Sequence, residues 1–263
     1  MWFTVDEIEP CLIKEGYTFF VTLTNSGYLL YTLNLLKSLQ PYGWDKKMLI
    51  LCMDRHATTI LRERGYYAFL VNEDDDTLSR FCPWNTKGYD KICYMKLRII
   101  HEILMMGKNV LLVDGDVVFC KDPMEDARKW WLGSDTYDVY VQNDSENDRD
   151  HTNLCTGYMW IRSTLQTQHL YDCVSEEGQE RYRLCAFDNN DQTYFNRFIK
   201  PECRVCVLPL ENYPNGNVYM KRVNQIKDRC MMIHFNWLRG HFKLVKMKQY
   251  GKWLLTPEEE MGI

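Results

Sequence analysis

No run of about 18 apolar residues occurs anywhere in the 263 positions, so no membrane-spanning helix is expected. The opening stretch MWFTVDEIE puts carboxylates where a secretory leader needs cations, and export is not expected either. No basic block tracks along a predicted helix. Lys and Arg number 32 against 36 Asp and Glu, a formal charge of −4, which makes nucleic acid a poor partner. Internal repeats and low-complexity linkers are missing too, which leaves a single folded domain over 1–263. The 11 cysteines lie scattered inside apolar segments rather than in the spaced loops of a short secreted scaffold, and they read as buried, reduced thiols of a cytosolic protein. Apolar residues at 46% and charged ones at 26% are globular averages, enough for a sizeable core. The 17 Tyr and 8 Trp suit a sugar-stacking cleft as well as a large core.

What is present alternates strands with helices. Tyr17 to Thr24 (YTFFVTLT) is β-branched and aromatic, predicting a strand, and Asn25 or Ser26 behind it can cap a helix. Leu29, Leu30, Leu33, Leu36 and Leu39 recur at helical spacing until Pro41 and Gly43 stop the pattern. Residues 47–53 and 66–71 read as strands around a helix over 56–64 closed by Gly65. Such alternation implies an α/β fold on a parallel sheet with right-handed crossovers. Residues 72–88 carry no period and are expected to form a long irregular loop. A helix over 89–106, ended by Gly107, leads to the apolar strand Asn109 to Val113. The second half is less regular, with strands near 139–142, 155–162, 204–208 and 230–235 and helical pieces near 164–177 and 190–198.

Asp114-Gly115-Asp116 leaves the 109–113 strand at its carboxyl end, the edge at which open α/β sheets hold ligands. Two carboxylates around a glycine can turn toward one cation, because glycine admits a bend that strand alternation forbids, and oxygen ligands suit Mn²⁺ or Mg²⁺. The same residues also make an ordinary solvated acidic turn. His234 ends the apolar run Met231 to Phe235, where an imidazole is costly unless its nitrogens are satisfied. Backbone partners would satisfy them, and so would a role as third ligand to the same cation. Cys203, Cys206, Cys230 and His234 offer a competing set that would hold structural zinc, although Val205, Val207 and Leu208 give the first pair strand character.

Together these residues resemble the glycogenin-like and related nucleotide-diphospho-sugar transferases of the GT-A fold. Phe20 to Thr24, with Asn25 and Tyr28, is similar to that family's opening strand and turn, and Asn109 to Pro123 to its D-x-D strand. Thr156-Gly157 looks like its T-G strand, Asp191-Gln192 with Asn196 like its D-Q helix, and His234, Gly240 and Lys243 like its closing H…G…K element. The likeness runs from Tyr17 to Trp253 in the family's order.

The resemblance implies a Rossmann-like, mostly parallel central sheet flanked by helices. Residues 17–120 would form the nucleotide-sugar half and 121–253 a less regular acceptor and catalytic half. It implies a metal-dependent glycosyltransferase that moves a hexosyl or pentosyl group from a nucleotide-diphosphate sugar, a UDP-sugar by resemblance, to a glycan hydroxyl. Thr22, Leu23, Thr24, Asn25 and Tyr28 would line the uridine pocket, with Tyr28 stacking on the base. Asp114, Asp116 and His234 would bind Mn²⁺ or Mg²⁺, and Gly115, Gly240, Lys243 and either Lys96 or Arg98 would face the diphosphate. Asp191 and Gln192 would face the transferred sugar and the attacking hydroxyl; the alternative for Asp191 is a simple helix cap. Members with the H…G…K ending mostly retain anomeric configuration, so internal return on one face is expected rather than a covalent intermediate.

Some residues depart from the pattern. Leu154-Cys155-Thr156-Gly157 stands where Asn-Thr-Gly is commoner, the spacing from His234 to Gly240 is longer than in glycogenin, and Pro-Trp after the lysine is missing. Self-glucosylation is therefore not expected. A sugar-nucleotide pyrophosphorylase wants a glycine-rich loop where Thr24-Asn25-Ser26-Gly27 has one glycine. A nucleotide-sugar-binding protein without turnover is the remaining alternative. With no leader or anchor expected, the resemblance suits a cytosolic system, bacterial or viral, better than a Golgi enzyme. Neither the donor sugar nor the acceptor has a motif.

Overall fold

The computed structural model describes residues 3–71, 76–132, 136–185, 190–238 and 240–262. Ten strands run in chain order as β1 (Leu12–Ile13), β2 (Thr18–Thr24), β3 (Met48–Cys52), β4 (Tyr67–Leu70), β5 (Asn109–Val113), β6 (Val117–Phe119), β7 (Val139–Asn143), β8 (Leu154–Ile161), β9 (Val205–Leu208) and β10 (Met232–His234). Eight of them make one sheet in the order β4-β3-β2-β5-β8-β7-β9, with β1 antiparallel against the start of β2.

Period-two alternation of apolar side chains buries this sheet on both faces. Phe19, Val21, Val110 and Leu112 point to one face, where the helix Lys87–Met105 lays down Leu97, Ile100, Ile103 and Leu104. Phe20, Ile50, Leu111 and Val113 point to the other, against Leu29, Leu33, Leu35 and Leu36 of the helix Leu29–Leu39. Fully burying such a side chain contributes roughly 1.5–3 kcal/mol, so these two layers set the positions of the strand ends between them.

The expected parallel sheet holds from β4 to β5; beyond it β8 is antiparallel to both β5 and β7, and β7 to β9 is parallel again. The second half also forms a small sheet in which β10 runs antiparallel to β6 and sets His234 opposite Val117. Helices Met124–Leu132, Gly216–Ile226 and His241–Gln249 had no counterpart in the sequence reading.

The first helix is not capped as expected. Asn25 makes no capping bond, and the Ser26 N–H and hydroxyl donate instead to Asp54, 2.7 and 2.5 Å away. Part of the 72–88 loop lies outside the described residues; the rest has one helical turn, Asp76–Ser79, before the long helix begins at Lys87. All eleven cysteines are free, seven of them buried. Among the described residues no helix is long and apolar enough to cross a membrane.

Candidate active site

A cleft of about 650 Å³ opens over the carboxyl ends of β2 and β5. Its floor follows from chain geometry. As β5 ends, Asp114 donates its N–H to the Gly157 carbonyl of β8 (2.8 Å) and accepts from Val117 N–H (3.1 Å), so the chain turns directly into β6 with Asp116 on the way. Because β10 pairs with β6, His234 arrives beside that turn, and Phe235 N–H closes it on the Asp116 carbonyl at 3.1 Å. His234 Nε2 lies 3.3 Å from Asp116 Oδ1 and 3.8 Å from Asp114 Oδ2.

The other face of the imidazole is fixed. His234 Nδ1 lies 2.8 Å from Gln142 Oε1, and Gln142 Nε2 in turn donates to the Tyr213 carbonyl at 3.1 Å. That chain orients the Gln142 amide and makes Nδ1 the donor, which leaves the Nε2 lone pair for the aspartates' side. One ligand atom from each of Asp114, Asp116 and His234 lies within 4.8 Å of the others. A β-carbon on Gly157 would stand 2.1 Å from His234 Cε1 and 2.7 Å from Asp114 Oδ2, so only glycine there keeps space between the three. Two carboxylates and one imidazole around a kept space fit a divalent cation. The competing zinc set does not form: among the described residues this trio is the one group of three or more metal-ligating acids, histidines or cysteines. Cys230 instead donates to the Ile226 carbonyl at 3.2 Å.

Two lysines flank the trio. Lys96 Nζ bridges Asp114 (2.8 Å) and Asp191 (2.7 Å), and Lys243 Nζ sits 2.5 Å from Asp116 and 2.8 Å from the Tyr28 hydroxyl. Burial opposes the charge on Lys96, but the two carboxylates outweigh it and hold the ammonium well above the ordinary lysine value. Burial likewise opposes ionisation of Asp116, yet Lys243 and His234 prevail and keep its carboxyl far below the usual range. Asp191 is held below its ordinary value, against its burial, by Lys96 and Thr156. His234 is raised well above its ordinary value by Asp116 and Cys155, again against burial. A cation bound here takes the proton's place on that ring.

Asp191 does not cap its helix. Asn190 does, its side chain accepting from Thr193 N–H at 2.6 Å, which frees Asp191 to take the Thr156 hydroxyl at 2.5 Å beside Lys96. Gln192 donates to Asp144 (2.9 Å) and Asn153 (3.1 Å). Asn196 ties this helix to both backbone polar groups of Leu154. Gly240 has φ +52° and opens the helix that carries Lys243. Leu23, Thr24, Asn25 and Tyr28 line the cleft with Gly115 and Gly240. Gly115 has no positive φ; it is needed because a β-carbon would press within 2.8 Å of Thr32 Oγ1 and 3.1 Å of the Tyr28 ring. Asn25 serves the cleft indirectly, its amide holding the carbonyls of Leu78 (2.7 Å) and Arg80 (2.9 Å) and so the segment that carries Phe81.

Two expected residues lie elsewhere. Thr22 is fully buried and does not line the cleft, which is reached by Leu23 and Thr24 at the end of β2. Arg98 is two residues from Lys96 on one helix, hence on a different face, and pairs with Glu102 at 3.4 Å. Sequence reasoning missed Tyr31, Phe81, Trp84, Asp144, Asn236 and Trp237, all on the cleft wall. For the four aromatic ones the aromatic count was the one signal, and it gave no positions.

A family profile for nucleotide-diphospho-sugar transferases matches residues 44–247. The chain is 25% identical to the UDP-galactose:fucoside alpha-3-galactosyltransferase of Dictyostelium discoideum, over 91% of this chain and 43% of that protein. It is 24% identical to UDP-D-xylose:L-fucose alpha-1,3-D-xylosyltransferase 1 of Arabidopsis thaliana, over 96% of this chain and 74% of that one. Its fold is similar to that of a glycosyltransferase involved in glycosylation of the major capsid of PBCV-1, with TM-score 0.53 at 10% identity, covering 88% of this chain and 98% of that one. Mouse xyloside xylosyltransferase 1 gives TM-score 0.51 at 12% identity, covering 82% and 96%. With the match spanning most of the chain, this protein belongs to the nucleotide-diphospho-sugar transferase family and is a glycosyltransferase of the GT-A fold.

Proposed function

We propose that the chain transfers a hexosyl or pentosyl group from a UDP-sugar to a glycoside hydroxyl, with a bound Mn²⁺ or Mg²⁺ and with retention of anomeric configuration. The observation that carries this reading is the convergence of Asp114, Asp116 and His234, flanked by Lys96 and Lys243, in a cleft whose wall also holds Tyr28. A divalent cation on the three ligands would supply Lewis-acid neutralisation of the departing nucleotide diphosphate. Lys243, already over the Tyr28 ring at 5.3 Å, would turn from Asp116 to the diphosphate. Tyr28 would stack on uracil, and burial with the nearby Asp116 and Asp114 keeps its hydroxyl protonated.

Residues 17–120 would then hold the donor and 121–253 the acceptor, with the metal site drawn from both. Asp191, tied to Lys96 and Thr156, would support positive charge developing on the sugar rather than attack it. The acceptor oxygen bonds to the anomeric carbon as the bond to the diphosphate oxygen breaks, and the acceptor proton passes to that oxygen on the same face. Two relatives name fucose or a fucoside as acceptor, which supports a fucoside as acceptor here. The test incubates the protein with Mn²⁺, an α-linked UDP-hexose or UDP-pentose, and methyl α-L-fucopyranoside. EDTA-sensitive UDP release with formation of an α-linked disaccharide is expected. Transfer undiminished by EDTA would overturn the metal, and a β-linked product would overturn retention.

A further inference from the structure

Trp237 is 61% exposed on the cleft wall, yet its backbone is left-handed, with φ +65°. A bulky residue takes that conformation only where its surroundings hold it, and such outliers cluster at ligand sites. The surroundings here form one polar knot. Asp144 Oδ1 accepts from the Trp237 indole N–H (3.0 Å) and from Asn236 Nδ2 (2.9 Å), while Oδ2 accepts from Gln192 Nε2 (2.9 Å) and Asn153 Nδ2 (3.1 Å). Asn236 Oδ1 in turn accepts from Gly216 N–H at 3.0 Å. The indole is thus pinned by its N–H edge with most of its surface left in water, and the same carboxylate joins it to Gln192, the neighbour of Asp191. Lys243, bonded to the Tyr28 hydroxyl, meets the metal trio at Asp116.

A fixed, exposed aromatic face is what the C–H face of a pyranose stacks on. We propose that Trp237 is the stacking platform for the acceptor sugar and that Asp144, whose four acceptor sites are taken by Trp237, Asn236, Gln192 and Asn153, acts as a positioning residue that holds the indole in place. This rests on the glycosyl transfer proposed above and names the acceptor end of that site.

The test compares the wild type with Trp237→Ala, Trp237→Phe and Asp144→Asn in the complete chain, using a UDP-sugar with Mn²⁺ and a panel of methyl pyranosides that includes the fucoside. Trp237→Ala should raise the acceptor KM by about tenfold or more, the worth of one stacking face, with the KM for the donor moved less than about twofold. Trp237→Phe should recover most of the loss, and Asp144→Asn should fall between the two. An unchanged acceptor KM in Trp237→Ala, or a donor KM that rises in step with it, overturns the platform. If no glycoside is accepted by the wild type, the sugar acceptor itself is wrong, while Mn²⁺-dependent hydrolysis of the donor still reports separately on the donor reading.

Discussion

At the end of the cleft proposed to hold the donor, the side chains hang from strand ends. Leu23 and Thr24 close β2, Asp114 follows β5, and the buried layers on both faces of the sheet hold them. Elsewhere on the cleft wall Asp144 follows β7 and Asn153 precedes β8, while Asn236 and Trp237 stand on the loop after β10, and side-chain hydrogen bonds that meet on the Asp144 carboxylate tie the group together. A sheet edge tolerates little change in what it binds, whereas a polar knot on loops is replaced residue by residue. The difference suits a cleft that keeps one nucleotide grip and varies its acceptor.

Substitutions at the two ends should separate along that line, and the largest effect belongs to the metal floor. Asp116→Asn deletes a ligand charge with almost no change in volume, and kcat should fall about 10³-fold or more while circular dichroism stays that of the wild type. Turnover at the wild-type rate would break the contrast outright. Gly157→Ala comes next: its β-carbon would meet the His234 ring, and Mn²⁺ affinity measured by calorimetry should drop about a hundredfold. Gln142→Leu removes the acceptor that orients the same ring, and a loss of roughly tenfold in Mn²⁺ affinity is expected. Lys96→Met sharpens the comparison from the stability side. It leaves the buried Asp191 without its cation, and thermal denaturation should show a cost of about 3 kcal/mol. Loop substitutions at Trp237 should cost neither metal affinity nor stability on that scale.

What the sequence disclosed follows the same division. Asp114 and Asp116 were legible because an apolar run ends at Val113, whereas Leu23, Thr24 and Tyr28 were named only through the family resemblance of the strand and turn that hold them. Thr22 belongs to the same stretch but is buried within the sheet, since a motif names a length of chain while only the last residues of the strand reach the cleft. His234 was legible as a costly imidazole, but not its route to Asp116, because β6 and β10 are three residues each and carry no period. The helix Gly216–Ile226 mixes Lys, Arg, Asn and Gln among its apolar positions and bends at Arg222, so it left no clean stripe to read. Asp144 had no signal of its own, and Trp237 none beyond the aromatic count. Their meeting depends on loops returning from distant elements, information that resides in tertiary contacts rather than in local pattern.

The central claim is that two aspartates and one histidine grip a cation which in turn grips the donor diphosphate. An anomalous-scattering map from crystals soaked in Mn²⁺ and UDP tests it directly. The account predicts one manganese peak bonded to Asp114, Asp116, His234 Nε2 and oxygens of both phosphates. UDP bound with no metal at those three side chains, or manganese coordinated elsewhere, would contradict it.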